Sequence, residues 1–252
     1  MPSHPIKALL CDIGGVLYVG DEAIPGAVEA IARIKKRYPV RFLTNTTQKS
    51  GAQVVEKLQA MGFDIDASEV ITALDVTRMF LEREGSGACF LLTDDAKHFF
   101  EDLPKRPCRY VVVGDAQKNF NYKQLNKAFR TLMEGGELLA AAKNRYFKDG
   151  DGKLSLDAGG FVAALEYASG KEARILGKPS KEFYRLACAS AGVEPSEAVM
   201  IGDDIDSDIL GAQEAGLKTA LVKTGKFTPD DLVRGIIPDA VLDSVADFSL
   251  LG

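Results

Sequence analysis

Short apolar runs alternate with amphipathic stretches in the first third of the chain. Residues 6–11 form an apolar run that predicts a buried strand, and Val40–Leu43 predicts a second one. Between these runs, apolar residues recur at near-helical spacing after Pro25-Gly26, which predicts a helix. After the second run, another amphipathic helix is predicted from about Ser50 and stops at Gly62. Strands separated by helices pair in parallel through right-handed crossovers. The pattern therefore predicts an α/β fold built on a doubly wound parallel sheet.

The last third of the chain repeats this alternation. It predicts a helix over Lys181–Ala191, a strand over Val199–Ile201, a helix over Ser207–Ala215 and a strand over Thr219–Val222. We therefore expect the two ends of the chain to form one core domain together.

The middle of the chain has a different pattern, with shorter strands and more turns. Its predicted elements are strands over Phe90–Leu92, Tyr110–Val113 and Leu138–Ala142, a helix containing Leu125, Phe129 and Leu132, and a hairpin turn over residues 149–152. We expect this segment, residues 79–175, to be an inserted α/β domain. Residues 1–78 and 176–252 would then form a discontinuous core domain.

Composition narrows the class of protein. The chain has 252 residues, of which 46% are hydrophobic and 27% charged, enough for one or two globular domains. A net charge of -5 disfavours a nucleic-acid partner, and no apolar run approaches the roughly 18 residues of a membrane helix. The first seven residues lack the layout of a secretory signal, and the four scattered cysteines form no CxxC pair. We expect a cytoplasmic protein without membrane or nucleic-acid partners.

Polar residues follow the predicted core strands at the point where each strand ends. Asp12 follows the first strand, Thr44-Asn45-Thr46 follows the second, and Asp203, Asp204, Asp206 and Asp208 follow a late strand. Lys178 stands just ahead of a helix. Because ligands of doubly wound sheets bind beyond the carboxyl ends of the strands, we expect these residues to form one site.

These residue types suit phosphoryl transfer assisted by a metal ion. Several carboxylates provide the hard oxygen ligands that Mg²⁺ prefers, and lysine and threonine can bind the remaining phosphoryl oxygens. A carboxylate can also act as the nucleophile and form an aspartyl-phosphate. Asp206 is instead interpreted as a solvated carboxylate at a helix start.

In this order and spacing, the four segments resemble the four motifs of the haloacid dehalogenase-like (HAD) hydrolase superfamily. The resemblance covers nearly the whole chain and is closest to its C2-capped (type IIA) phosphatases, in the branch that contains phospholysine phosphohistidine inorganic pyrophosphate phosphatase and HAD-like hydrolase domain-containing protein 2. The matching segments are Asp12–Leu17, Phe42–Thr47, Arg145–Phe147, Phe161–Tyr167, Gly177–Pro179, Val199–Asp204 and Val222–Lys226. It implies a Rossmann-like core with the middle segment as a C2-type cap.

The resemblance also implies roles for individual residues. Asp12 would be the nucleophile and a Mg²⁺ ligand, and Lys178 would steady Asp12 and the transferring phosphoryl group. Thr44, with the backbone at Asn45 and the neighbouring Thr46, would bind the phosphoryl group. The metal would be bound by Asp12, Asp203 and the backbone carbonyl of Gly14, with Asp208, or alternatively Asp204, acting through water.

Gly14 departs from the usual pattern of the superfamily. Most of its phosphatases have a second Asp at this position, which protonates the leaving oxygen and later activates water. Glycine provides neither proton transfer, and such help is typically worth about 10²–10⁴-fold in rate. We therefore expect a preference for good leaving groups, namely aryl or acyl phosphates, pyrophosphate and P–N bonds.

In the predicted cap, Arg145 and Tyr146 are candidates for facing the substrate, the alternative being that they only pack within the cap. Dimerisation through the cap occurs among relatives, so a homodimer is compatible with the resemblance.

Two other functions remain open at this point. The protein could be a phosphate-ligand binding or regulatory protein whose turnover is weakened by Gly14, although a binding protein needs no nucleophile. Carbon–halogen hydrolysis, which members of the superfamily perform without Mg²⁺, is disfavoured by the acidic cluster around Asp203.

Overall fold

The structure, a computed structural model, describes residues 5–48, 51–104, 107–148 and 153–248. The described residues form two units. The core unit contains those of Met1–Thr44, Gly51–Ile71 and Lys178–Gly252, and the inserted unit contains those of Asn45–Ser50 and Thr72–Gly177.

Strands and α-helices alternate along most of the chain. The strands are β1 (Ala8–Asp12), β2 (Tyr18–Val19), β3 (Glu22–Ala23), β4 (Val40–Thr44), β5 (Val70–Thr72), β6 (Gly87–Leu91), β7 (Cys108–Val113), β8 (Glu137–Ala140), β9 (Tyr146–Lys148), β10 (Leu154–Leu156), β11 (Arg174–Ile175), β12 (Ala198–Gly202), β13 (Lys218–Val222) and β14 (Ala240–Leu242). The helices are α1 (Ala27–Lys35), α2 (Gly51–Ala60), α3 (Ala73–Glu84), α4 (Asp94–His98), α5 (Tyr122–Met133), α6 (Ala158–Ser169), α7 (Lys181–Ser190) and α8 (Gly211–Ala215). Among the described residues, none of these helices has the length and apolar character required to span a bilayer.

The core unit is organised around a parallel sheet with the strand order β14-β13-β12-β1-β4-β5. The central strands β1 and β12 are buried along their whole length, which agrees with the apolar runs Ala8–Cys11 and Ala198–Ile201. Side chains of Leu9, Phe42 and Ile201 pack with apolar residues of α1 and α2 in one cluster. The fold class predicted from the sequence, a doubly wound parallel α/β sheet with an inserted α/β unit, is confirmed.

The strand order reverses between β1 and β12, at the centre of this sheet. From β1 the chain continues outward to β4 and β5, and it later returns to β12 on the other side of β1 before adding β13 and β14. The register pairs Cys11 with Ile201, so Asp12 and Gly202 end their strands side by side. Ligands of doubly wound sheets bind at such a reversal, beyond the carboxyl ends of the strands.

The inserted unit contains its own parallel sheet, with the order β11-β8-β7-β6. Helices α5 and α6 pack against this sheet and share a core with it, to which Val111, Leu138 and Val162 contribute. Strands β9 and β10 pair antiparallel, as expected for a hairpin, while the predicted turn over residues 149–152 lies outside the described residues.

Helix α3 was not predicted from the sequence. It begins with a capping box in which Thr72 and Asp75 exchange side-chain-to-backbone hydrogen bonds, and Ala73 and Leu81 are buried along its length. All of α3 falls within the inserted unit, whereas the expected domain boundary at residue 79 would divide it.

The residues that follow β4 also belong to the inserted unit. The hydroxyl of Thr47 accepts a hydrogen bond of 2.7 Å from the backbone N–H of Asp115, and the Gln48 amide donates to the Asp115 carboxylate. A Cβ at Gly114 would lie 2.9 Å from the Cβ of Thr47, so the two backbones approach closely. Residues 45–48 are therefore fixed to the end of β7.

Candidate active site

Asp12 and Lys178 form a buried ion pair at the carboxyl end of β1. The ammonium of Lys178 donates to the carboxylate of Asp12 and, at 2.7 Å, to Oδ1 of Asp208. Only 5% of Lys178 and 8% of Asp12 is exposed. A buried ammonium is tolerated only when charged partners replace the water that it loses. The structure thus brings together two residues that are 166 positions apart in the sequence.

Three buried carboxylates lie together beside this lysine. Asp12, Asp203 and Asp208 each present an oxygen within 4.8 Å of the other two. When all are ionised, three carboxylates against one ammonium leave an excess of two negative charges. An all-oxygen, negatively charged and buried donor set fits a divalent cation such as Mg²⁺.

Burial and mutual repulsion shift the proton affinities of this cluster. Burial raises the pKa of Asp203 to about 8, with further contributions from the charges of Asp12 and Asp208. Burial likewise raises the pKa of Asp208 to about 6, although Lys178 opposes the shift. For Lys178, burial alone would lower the pKa, but the carboxylates of Asp12 and Asp208 outweigh it and raise the pKa well above its usual value. Such pKa shifts are expected where several buried carboxylates surround a single ammonium group.

A turn of π-helix places Asp208 in the cluster. Residues Ile205–Leu210 are π-helical, where the sequence pattern predicts the start of an ordinary α-helix at Ser207. The N–H of Ile209 reaches back five residues to the carbonyl of Asp204 at 3.2 Å. The buried Tyr184 of α7 donates its hydroxyl to the carbonyl of Ser207 within this turn. π-Helical turns occur frequently at functional sites, and this one carries a predicted site residue.

Asp204 and Asp206 occupy other positions. Asp204 caps the π-helix by accepting N–H bonds from Asp206 and Ser207, and its second oxygen accepts from Nζ of Lys226 at 3.0 Å. Although burial opposes it, the charge of Lys226 and these hydrogen bonds lower the pKa of Asp204 to about 2. Asp206 is exposed and pairs with Arg234. Of the acidic residues after β12, Asp203 and Asp208 are therefore those that share the cluster with Asp12.

Replacing Tyr184 with Phe is expected to destabilise the fold. The substitution leaves the part-buried Ser207 carbonyl without its hydroxyl partner from the buried Tyr184, which costs about 1–3 kcal/mol of unfolding free energy. Urea denaturation of the two proteins measures this difference. Tyr167→Phe is the matched control, because Tyr167 is 94% exposed. Equal unfolding free energies for wild type and Tyr184→Phe would contradict this role.

Gly14 lies in the turn that follows Asp12, and it is exposed. A Cβ built at this position meets no atom within 4 Å, and the backbone is outside the left-handed region that favours glycine. The local structure therefore tolerates a side chain at this position. The absence of the usual carboxylate is a property of the sequence and is not imposed by the fold.

The predicted phosphoryl-binding residues lie at the end of β4, the strand next to β1, and directly after it. Leu43 is the register partner of Asp12, and Thr44 is the next residue. The side chain of Asn45 lies against Gly177, where a Cβ would come within 2.6 Å of its Oδ1. Thr46 follows it in the inserted unit.

Arg145 and Tyr146 lie in the inserted unit and are both exposed. They line a groove of about 510 Å³, together with the apolar side chains of Leu154 and Leu156. A role of Arg145 and Tyr146 in substrate binding stays a prediction.

Three residues that contact the site were not predicted to have a role. They are Tyr184, Thr224 and Lys226, of which the last two follow β13. For Thr224 and Lys226, the available signal was their position after a core strand, in the segment Thr224-Gly225-Lys226. The side chains of the three residues alone do not indicate which groups they contact.

Comparisons with known proteins agree with this arrangement. Residues 9–103 match the family model of haloacid dehalogenase-like hydrolases, and residues 175–248 match a second, HAD-hydrolase-like model. The chain is 43% identical over 250 residues to a phospholysine phosphohistidine inorganic pyrophosphate phosphatase of Rattus norvegicus, covering 96% of this chain and 92% of the relative. It is also 43% identical over 227 residues to haloacid dehalogenase-like hydrolase domain-containing protein 2 of Homo sapiens, covering 90% and 87%.

Solved structures are similar over almost the full length. NagD from Escherichia coli K-12 has a TM-score of 0.89 at 28% identity, covering 98% of this chain and 99% of that one. A 4-nitrophenylphosphatase from Thermotoga maritima has a TM-score of 0.87 at 28% identity, covering 96% and 95%. Sequence identity over nearly the whole chain and the shared fold lead to one conclusion: the chain belongs to the haloacid dehalogenase-like hydrolases.

Proposed function

We propose that this hydrolase is a Mg²⁺-dependent phosphatase that acts on small phosphorylated compounds through an aspartyl-phosphate on Asp12. The observation that carries the proposal is the Asp12 carboxylate, held by Lys178 beside Asp203 and Asp208 where the strand order reverses. The names of the relatives, which include a pyrophosphate phosphatase and a 4-nitrophenylphosphatase, support phosphoryl compounds as the substrate class. The four cysteines are free, in agreement with a cytoplasmic location.

In the proposed reaction, a carboxylate oxygen of Asp12 attacks phosphorus as the bond to the leaving group breaks. Water then attacks the phosphorus of the acyl phosphate, which releases inorganic phosphate and restores Asp12. The ammonium of Lys178 orients Asp12 and offsets charge on the phosphoryl oxygens, while Thr44, Asn45 and Thr46 donate hydrogen bonds to them.

The metal would be held by Asp12, Asp203 and the carbonyl of Gly14, with Asp208 acting through water. When bound, Mg²⁺ supplies positive charge that offsets the carboxylates and the phosphoryl oxygens. Asp208 is buried and accepts hydrogen bonds from Lys178 and from the N–H of Asp204. This position supports Asp208, in preference to Asp204, as the residue that contacts the metal through water.

Gly14 determines the expected choice of substrate. Without a carboxylate at this position, a leaving group must depart with little protonation. Aryl phosphates, acyl phosphates and pyrophosphate yield stable anions, and the nitrogen of a P–N bond can be protonated in advance. Simple alkyl phosphates yield strongly basic alkoxides and depend most on a general acid.

Phosphate release from four compounds tests the function and the choice of leaving group together. We expect turnover of 4-nitrophenyl phosphate, pyrophosphate and phosphoramidate that disappears with EDTA and returns with Mg²⁺. We expect an alkyl phosphate such as glycerol phosphate to react slower by about 10²–10⁴-fold, the usual contribution of general acid–base catalysis.

Equal turnover of alkyl and aryl phosphates would contradict the leaving-group argument but not the phosphatase activity. Binding of Mg²⁺ and phosphate without turnover of any compound would instead favour the alternative, a phosphate-ligand binding or regulatory protein weakened at Gly14.

A further inference from the structure

The loop after β13 lies against both acid-bearing segments of the site. It consists of Thr224, Gly225 and Lys226, and we call it the 224–226 loop. Strand β13 is adjacent to β12, and β12 is adjacent to β1. Because the three strands are parallel, this loop leaves the sheet at the same edge as Asp12 and Asp203.

The main chain of the loop fixes the carboxylate of Asp203. The N–H of Lys226 donates to Oδ2 of Asp203 at 2.7 Å, and only 2% of Asp203 is exposed. An ionised carboxylate has about four lone-pair positions on two oxygens. This hydrogen bond restrains the orientation of the side chain and, among the described residues, leaves acceptor capacity on Asp203 for a cation.

Two glycines allow the loop and the Asp12 turn to touch through their backbones. Gly15 and Gly225 have φ angles of +82° and +64°, and a Cβ on either would lie 2.0 Å from Oδ2 of Asp203. A Cβ on Gly225 would also lie 2.5 Å from the Cα of Gly15. Asp203 is thus enclosed between two backbone segments whose separation admits no side chain.

Thr224 ties the Asp12 turn to the loop. Its hydroxyl donates to the carbonyl of Gly15, whose own N–H donates to the carbonyl of Tyr18 at 2.8 Å. The peptide groups on both sides of Gly15 are therefore held. Gly15 directly follows Gly14, so the Thr224 hydrogen bond restrains the segment that carries the Gly14 carbonyl, the proposed metal ligand.

We infer that Thr224 is a positioning residue whose hydroxyl locks the Asp12 turn to the loop that holds Asp203. The ligands of the divalent cation are thereby fixed relative to one another before the cation binds, which lowers the cost of ordering them. The inference rests on the proposed function, because the cation ligands are those named there.

Calorimetric titration of the full chain with MgCl₂ tests the inference directly. Thr224→Val removes the hydroxyl and keeps the shape, and we expect it to raise the Kd for Mg²⁺ by about tenfold or more, as for other groups that orient metal ligands. Thr224→Ser restores a hydroxyl and is expected to recover most of the affinity. Thr224→Ala provides the same comparison should the valine variant fail to fold.

Thr228→Val is the matched control. It removes a hydroxyl that donates to Asp231 at 3.1 Å in the turn that follows the loop, and we expect the Kd for Mg²⁺ to stay at the wild-type value. A wild-type Kd for Thr224→Val, or an equal loss in Thr228→Val, would overturn the inference.

The same titration separates this inference from the proposed function. If the wild type binds Mg²⁺ but hydrolyses none of the four compounds, the phosphatase proposal fails and the Kd comparison still decides the role of Thr224. A wild type that binds no Mg²⁺ overturns the inference itself.

Discussion

Asp12→Asn is expected to abolish phosphate release while the protein stays folded. An amide has nearly the same shape as the carboxylate but is a very poor nucleophile, so kcat for 4-nitrophenyl phosphate should fall by a factor on the order of 10⁴ or more. Lys178 keeps its bond of 2.7 Å to Asp208, so the buried ammonium remains paired with a charge.

Thermal unfolding distinguishes loss of chemistry from loss of structure. Removing one of three clustered carboxylates relieves repulsion in the absence of metal, so the Tm of metal-free Asp12→Asn should be at least that of the wild type. The stabilisation by Mg²⁺ should diminish, because a cation stabilises the fold only as far as it binds the folded state.

Asp206→Asn is the control for a change of charge near the site. Asp206 is an exposed aspartate in the acidic segment that also contains Asp203 and Asp208, and it pairs with Arg234 outside the carboxylate cluster. It should retain the kcat of the wild type. An Asp12→Asn protein that keeps more than about a tenth of the wild-type kcat would exclude Asp12 as the nucleophile.

Gly14→Asp is expected to give the largest gain in activity, and alkyl phosphates should gain most. The site has open space at this position and a backbone that accepts an L-residue, so the new carboxyl group is not forced out of place. A carboxyl group two residues after Asp12, the proposed nucleophile, can protonate the leaving oxygen and then activate water. General acid–base catalysis of this kind contributes about 10²–10⁴-fold, which sets the expected rise in kcat/KM for glycerol phosphate.

The comparison of substrates and variants makes this result specific. 4-Nitrophenyl phosphate should gain much less, because its leaving group departs as a stable anion. Gly14→Asn adds a side chain of the same shape without an ionisable proton, so it should not reproduce the gain. A similar gain for both substrates, or for both variants, would show that the side chain acts by another route than proton transfer.

The core of the fold follows from the sequence because its strands have a strong local signal. Residues 6–11 and Val40–Leu43 are apolar except for one basic residue each, Lys7 and Arg41, which is the near-continuous apolar pattern of strands in a parallel sheet covered on both faces. Asp12 and Asp203 could be placed at one edge for the same reason, since both directly follow such runs. Helix α3 was missed although its capping box, Thr72 with Asp75, is a recognisable start signal.

The remaining parts of the site depend on contacts that no local pattern encodes. The hydrogen bonds of the π-helical turn at Ile205–Leu210 span five residues instead of the four of an α-helix, and its stabilising partner Tyr184 lies on a different helix. Lys226 acts on Asp203 through its main-chain N–H, which every residue except proline has. Side-chain chemistry therefore identified the acids and the lysine but not the backbone that holds them.

The attachment of residues 45–48 to β7 has a consequence for modular engineering. Cap domains are natural parts to exchange between related enzymes, and residues 72–177 form a contiguous segment that could be replaced as one piece. Exchange of that segment alone would remove Asp115, the backbone partner of Thr47, and Gly114, against which Thr47 packs. The loop that carries Asn45 and Thr46 would then be grafted onto a foreign surface. A recombinant cap therefore has two separate crossover segments, and the short one directly follows Thr44.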